Sequence, residues 1–176
     1  MKILDTERLV LRELTPDDAP FILELLNEPG WLRFIGDRGL RTVDAARDYL
    51  VNGPIAMYDR HGFGLWAVES RDTGSPLGMA GLIRRKGLDD VDIGFAFLER
   101  HQGRGYAFEA ASAVMGHARD VLGLGRVVAI TSVDNVDSIR LLERIGLRYE
   151  KLITMPGNDE PVKLFGTTAR WRDQAG

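Results

Sequence analysis

The segment from Asp92 to Ala107 constrains this chain more than any other. Asp92-Ile93-Gly94-Phe95-Ala96-Phe97-Leu98 alternates as a strand does. Gly103 and Gly105 then punctuate a turn, and apolar residues recur at helical spacing beyond it. Ala107, Ala110, Ala111, Val114, Ala118, Val121 and Leu122 line one face of a helix of about 17 residues, closed by Gly123. The β-branched run Val127–Val133 follows. A strand, a helix and a strand in that order imply a right-handed crossover between two parallel strands.

The other elements build outward from this unit. Glu7–Glu13 reads as a strand with Leu9 and Leu11 on one face. Thr15 is placed as N-cap, Pro16 opens a helix, and Phe21, Ile22, Leu25 and Leu26 form its apolar stripe until Pro29-Gly30 stops it. Gly30–Gly36 reads as a loop rich in large apolar groups, Trp31 and Phe34 among them. Thr42 starts a second helix, with Val43, Ala46, Tyr49 and Leu50 inward. Gly64–Glu69, Leu77–Arg84 and Val91–Leu98 are three strands, and their short connections favour antiparallel pairing. Asn135–Ile145 is a helix closed by Gly146, and Leu147–Met155 and Val162–Thr168 are the last strands. The expectation is one α/β (α+β) domain over residues 1–176, with a mixed sheet of about seven strands and helices on both faces.

Composition narrows the chemistry. The chain has 176 residues, 44% hydrophobic and 28% charged, the balance of an ordinary globular domain. It has no cysteine, which excludes disulfides, thiolate metal sites and a cysteine nucleophile. The net charge of -3 and the absence of aromatic residues within a basic run argue against nucleic acid as partner. Met1–Thr15 lacks the apolar core of a secretory signal, and no run nears the roughly 20 apolar residues of a membrane span. A cytoplasmic protein with no membrane partner is expected. His61, His101 and His117 have no paired ligand spacing, so no metal is expected.

The turn at Gly103 to Ala107 can cradle phosphate. Glycines let backbone N–H groups close on a ligand, and a helix N-terminus adds roughly half a positive charge. It is not a Walker loop, because no Gly-Lys-Ser/Thr follows. It is not a dinucleotide fingerprint either, because Phe108 stands where the third glycine belongs. A plain tight turn accounts for the glycines equally well. Asn135, between a strand and a helix, reads as an N-cap, or as an amide aimed into the crevice at the strand ends.

Gln102-Gly103-Arg104-Gly105-Tyr106-Ala107 resembles the acyl-CoA loop of the GCN5-related N-acetyltransferases, the GNAT superfamily. Asn135-x-x-Ser138 with Leu141, Leu142 and Ile145-Gly146-Leu147 is similar to that superfamily's following motif. Thr6-Glu7-Arg8-Leu9-Val10-Leu11-Arg12 with Asp17-Asp18 resembles the RimJ/RimL-like ribosomal-protein N-terminal acetyltransferases. The resemblance runs from Leu4 to about Thr168. It implies that the fourth and fifth strands splay and that the pantetheine arm of acetyl-CoA lies between them on main-chain groups near Phe97 and Leu98. The pyrophosphate would sit on Gln102, Gly103, Arg104, Gly105, Tyr106 and Ala107, with Asn135 in the cleft. Arg100 and Arg140 are further candidates for CoA phosphates.

Many relatives carry a tyrosine at the position of Leu142 to protonate the departing thiolate, which leucine cannot do. The resemblance then points to Ser138 as proton donor, and to Asp92 as the base that takes a proton from the amine. Bland readings stand beside both: a first-turn polar residue and a solvent-facing strand residue. Glu109 reads as a helix-dipole residue. The implied activity is direct acetyl transfer in a ternary complex to a primary amine, either a protein N-terminus or a small molecule. The alternative is a non-catalytic CoA-binding or interaction module. A homodimer is also an expectation, because the last strands can pair across subunits.

Overall fold

A computed structural model describes residues 1–168 and Trp171. The expected single domain extends over residues 169, 170 and 172–176, which lie outside the described residues. The sheet has eight strands: β1 (Lys2–Asp5), β2 (Leu9–Glu13), β3 (Leu65–Ser70), β4 (Pro76–Ile83), β5 (Asp92–Phe97), β6 (Val128–Thr131), β7 (Arg148–Ile153) and β8 (Val162–Gly166). Their spatial order is β1-β2-β3-β4-β5-β6-β8-β7. Every neighbouring pair is antiparallel except β5 and β6, the crossover pair, which run parallel.

Six helices cover the sheet: α1 (Ala19–Leu26), α2 (Pro29–Phe34), α3 (Val43–Asn52), α4 (Pro54–His61), α5 (Tyr106–Asp120) and α6 (Val136–Arg144). Alternation along the strands divides the core between the two faces. Leu9, Leu11, Trp66, Val68, Leu82 and Ile93 point to the face covered by α5, whose Ala110, Ala111, Val114 and Ala118 are fully buried. Ala67, Met79 and Leu98 point the other way, beneath Ile22 and Leu25 of α1, Trp31 of α2 and Leu50 of α3.

Four differences from the sequence reading have local causes. β1 is an additional strand, too short and too charged to read by pattern, and it is held by its pairing with β2. Pro29 does not only stop α1: with Glu28 extended before it, it opens α2, where proline's missing N–H costs nothing. Pro54 opens α4 in the same way. Finally, α5 ends at Asp120, so Val121 is exposed rather than on its apolar face.

Candidate active site

The parallel ladder between β5 and β6 amounts to one register pair, Asp92 opposite Val128, with Val128 N–H donating to the Val91 carbonyl at 3.0 Å. Beyond it the strands separate, and a cavity of about 820 Å³ opens between them. The splay falls between the fifth and sixth strands because β1 precedes the rest. Leu98 N–H donates to Leu77 O across β4 at 3.0 Å. By the alternation of an antiparallel ladder, the peptide groups of Phe95 and Phe97 therefore face the gap.

The turn after β5 is held from both sides. The Gln102 side-chain amide donates to the Phe97 carbonyl at 2.9 Å, fixing the strand end. Gly103 and Gly105 adopt φ of +76° and +81°, a region that side chains rarely enter. From behind, Arg8 Nη1 donates to the Arg104 carbonyl at 3.0 Å, and its guanidinium lies 4.5 Å from the Tyr106 ring centre. Glu109 accepts from Arg8 Nε at 2.6 Å, from Arg8 N–H at 2.9 Å and from the Thr6 hydroxyl at 2.5 Å. Burial pushes the Glu109 carboxyl up, but these donors together hold it below its ordinary range. The N-terminal Thr6–Arg8 motif is thus a brace for the turn, and Glu109 is the brace's acceptor.

The helix behind that turn begins bare. Thr42 caps α3 and Asn135 caps α6 with side-chain oxygens, and α1, α2 and α4 carry a proline at their first or second position. Among the described residues α5 alone has neither a side-chain cap nor a proline at its start. Its first N–H groups have no carbonyl behind them. Gly103, Gly105, Tyr106, Ala107 and Phe108 at that start all line the cavity. This arrangement suits an anionic group of a bound molecule.

Asn135 and Ser138 line the cavity where β6 meets α6. Asn135 Oδ1 accepts from Ser138 N–H at 3.3 Å, so Asn135 is both helix cap and cavity wall. Phe97 and Gln102 also line the cavity, whereas Leu98 and Arg104 do not. Leu98 is fully buried in the opposite core and its N–H is already committed to Leu77. Arg104 is exposed. Arg100 is exposed and ion-paired with Glu24, and Arg140 is exposed on α6, both outside the lining.

Asp92 is not a solvent-facing strand residue. It is 1% exposed and lines the cavity at the apex of the splay. Arg85 Nε donates to both its oxygens, at 3.0 and 3.2 Å. Burial pushes the Asp92 carboxyl up to about 6 against the pull of Arg85.

The lining also contains residues that the sequence reading passed over: Arg38, Arg85, and Arg144, whose guanidinium lies 4.0 Å from the Phe108 ring centre. Arginines on loops and helix ends carry no positional signal in one sequence. Tyr49 was assigned to a core face, and its ring does close the cavity from α3. Trp31 and Phe34 line the same region, and the Ser132 hydroxyl donates to the Phe34 carbonyl at 3.0 Å, tying α2 to the end of β6. Among the described residues no helix is long and apolar enough to cross a membrane.

Comparison with known proteins gives this geometry a family. A family model described as an acetyltransferase (GNAT) domain matches residues 8–148. YoaA of Bacillus subtilis (strain 168), named an uncharacterized N-acetyltransferase, is 29% identical over 153 residues, 86% of this chain and 85% of that protein. YkkB of the same organism, named an uncharacterized protein, is 32% identical over 153 residues, 85% of this chain and 87% of that one. The structure of an acetyltransferase from Agrobacterium tumefaciens str. C58 superposes with a TM-score of 0.81 at 27% identity, covering 96% of this chain and 94% of that one. RimL, a ribosomal L7/L12 alpha-N-protein acetyltransferase solved in complex with coenzyme A, shares the fold with a TM-score of 0.79 at 19% identity, over 94% of this chain and 97% of its own. A mixed sheet splayed beside an uncapped, glycine-led helix is thus joined to a family match over residues 8–148: the chain belongs to the GNAT family and is an acyltransferase.

Proposed function

We propose that the chain transfers acetyl from acetyl-CoA to a primary amine by direct attack in a ternary complex. The carrying observation is the gap between β5 and β6 leading to the bare start of α5. The pantetheine arm occupies the gap as an extra strand would, on the main-chain groups of Phe95 and Phe97. The pyrophosphate rests on the N–H groups at Gly103, Gly105, Tyr106 and Ala107, with Gln102 and Arg8 holding the turn. Phe97, rather than Leu98, offers the N–H that polarises the thioester carbonyl, because Leu98 has spent its own. Arg144 is better placed than Arg104 for a CoA phosphate, since it lines the cavity.

Asp92 takes the ammonium proton, directly or through water. The freed amine attacks the thioester carbon, the C–S bond breaks, Ser138 gives a proton to the departing thiolate, and the second proton shed by the new amide nitrogen restores the Ser138 hydroxyl, directly or through water. The lack of cysteine removes one route to an acetyl-enzyme. The N-terminal motif and the RimL-like fold support a RimJ/RimL-like acceptor, a protein N-terminus, alongside small amines. Among the described residues no group of three or more His, Cys, Asp or Glu could hold a metal ion, and the proposed steps call on none. β7 lies at the sheet edge with Tyr149 and Leu152 half exposed, which supports a homodimer paired through that edge.

The test is incubation with acetyl-CoA and a panel of amines and peptides, read by mass spectrometry. A mass gain of one acetyl group on an amine, with release of CoA, is expected. Tight CoA binding without any acceptor-dependent release would instead favour a non-catalytic CoA-binding module.

A further inference from the structure

On the cavity wall beneath α3, three polar groups converge that the acetyl donor does not need. Tyr49 is partly buried there. The guanidinium of Arg38 lies 5.4 Å from the Tyr49 ring centre, and among the described residues that ring is its one partner. Arg85 reaches the same wall from the end of β4. Burial pushes the Tyr49 hydroxyl up while Arg38 and Arg85 pull it down.

Four carboxylates (Glu28, Asp92, Glu99 and Asp137) and four arginines (Arg38, Arg84, Arg85 and Arg144) line the cavity, so any imbalance is local. Arg85 is matched by Asp92 at 3.0 Å. Glu28, another carboxylate of the lining, accepts the Glu99 N–H at 3.2 Å. Arg38 remains uncompensated, beside a phenol with no hydrogen-bond partner among the described residues. A second cation beside Arg38 and Tyr49 would meet a like charge, which disfavours its binding at that wall. An anionic group would gain a charge-assisted hydrogen bond from Arg38 and another from Tyr49.

We propose that the acceptor is an amine that carries a carboxylate, with the carboxylate held by Arg38 and the Tyr49 hydroxyl and the amine directed to Asp92. This rests on the reading of Asp92 as the base. Two sources share that chemistry, a free amino acid and a peptide with an acidic first residue.

The experiment compares kcat/KM with acetyl-CoA for matched acceptors: leucine against 3-methylbutylamine, Asp-Ala-amide against Asn-Ala-amide, and spermidine. The carboxylate-bearing member of at least one pair should be preferred by about tenfold or more, since a charge-assisted bond is at stake. Preference within the first pair identifies a free amino acid, and within the second an acidic N-terminus. Arg38→Met should bring the ratio toward one, and Arg38→Lys should restore part of it. Equal or better use of the uncharged member in both pairs, or better use of spermidine than of either carboxylate-bearing acceptor, overturns the proposal, as does a ratio unmoved by Arg38→Met. The base reading fails separately: normal turnover in Asp92→Asn removes it whatever the ratio. No turnover with any acceptor overturns both the amine-acceptor reading and this one.

Discussion

Two Asp–Arg pairs sit on this sheet, and they differ in how many donors each carboxylate receives. Asp18 accepts from Arg12 Nη1 and Nη2, both at 2.9 Å, and from the Thr15 N–H at 2.8 Å. Burial alone pushes Asp18 up, yet those donors hold it below its ordinary range. Asp92 receives one guanidinium N–H, split between its two oxygens, and burial prevails, taking it to about 6. The same residue types therefore make a permanent anion in one place and a proton acceptor near neutrality in the other. The first closes a capping box on the short 3-10 turn Pro16–Asp18 that leads into α1, and the second faces a cavity. A carboxylate that is under-supplied with donors costs stability and gains reactivity.

Turnover should separate the pairs most strongly. Asp92→Asn removes the proposed base and should lower kcat by about 10²- to 10⁴-fold, the range over which general bases act. Asp18→Asn should leave kcat near that of the parent at a temperature where it stays folded. Steady-state assays with the best acceptor from the panel check both. Equal kcat in the two variants would end the contrast.

Stability should separate them in the opposite sense. Breaking a largely buried pair by removing one partner costs roughly 3 kcal/mol. For a chain of this size that lowers Tm by roughly 6–12 °C in Asp18→Asn. Asp92→Asn should melt at or above the parent at pH 8, because it removes a poorly solvated charge. The sign follows from linkage. The folded pKa of Asp92, about 6, lies above its ordinary 3.8, so its contribution declines as pH rises from about 4 to 6. Asp18 is the reverse: its contribution is present above 3.8 and is lost as pH falls through its depressed folded value. Calorimetric melting of both variants at pH 5 and pH 8 measures the two trends.

The rate profile sharpens the contrast further. If the deprotonated Asp92 is the active form, kcat/KM should rise about tenfold per pH unit below roughly 6 and bend there. Asp92→Asn should lose that bend and keep any limb that belongs to the amine itself. A bend that survives in Asp92→Asn belongs to another group.

Much of this was legible in the sequence, for reasons that differ along the chain. The crossover unit showed because Asp92–Leu98 alternates, the next helix has a clean apolar face, and Val127–Val133 is β-branched. Asn135 was legible as a cap and Gly103 and Gly105 as a special turn, because those roles depend on local backbone. Asp92's environment was not legible. Alternation puts it opposite Ile93 and Phe95, and that face reads as solvent until α1–α3 are seen to cover it. Arg85 and Arg38 could not be found at all, since long side chains reach their targets through space. Glu109 was assigned to the helix dipole, and only the fold brings Thr6 and Arg8 to it from the other end of the chain.

The smallest expected effect concerns the two cavity residues on α6. Asn135 caps the helix by accepting the Ser138 N–H, so Asn135→Ala should cost about 0.5–2 kcal/mol of stability. If its amide also serves acetyl-CoA, affinity at a temperature where the variant is folded should fall by roughly tenfold, one hydrogen bond's worth. Ser138→Ala leaves the cap intact, because it is the Ser138 N–H, not the hydroxyl, that Asn135 holds. Its stability should stay within about 0.5 kcal/mol of the parent. Thiolate protonation matters only as the C–S bond breaks, so Ser138→Ala should lower kcat about tenfold or more with little change in acetyl-CoA affinity. Asn135→Ala moving affinity and Ser138→Ala moving turnover would place the two neighbours in different steps. Were both variants to alter only melting, α6 would be a wall of the cavity and nothing more, and the thiolate would take its proton from water.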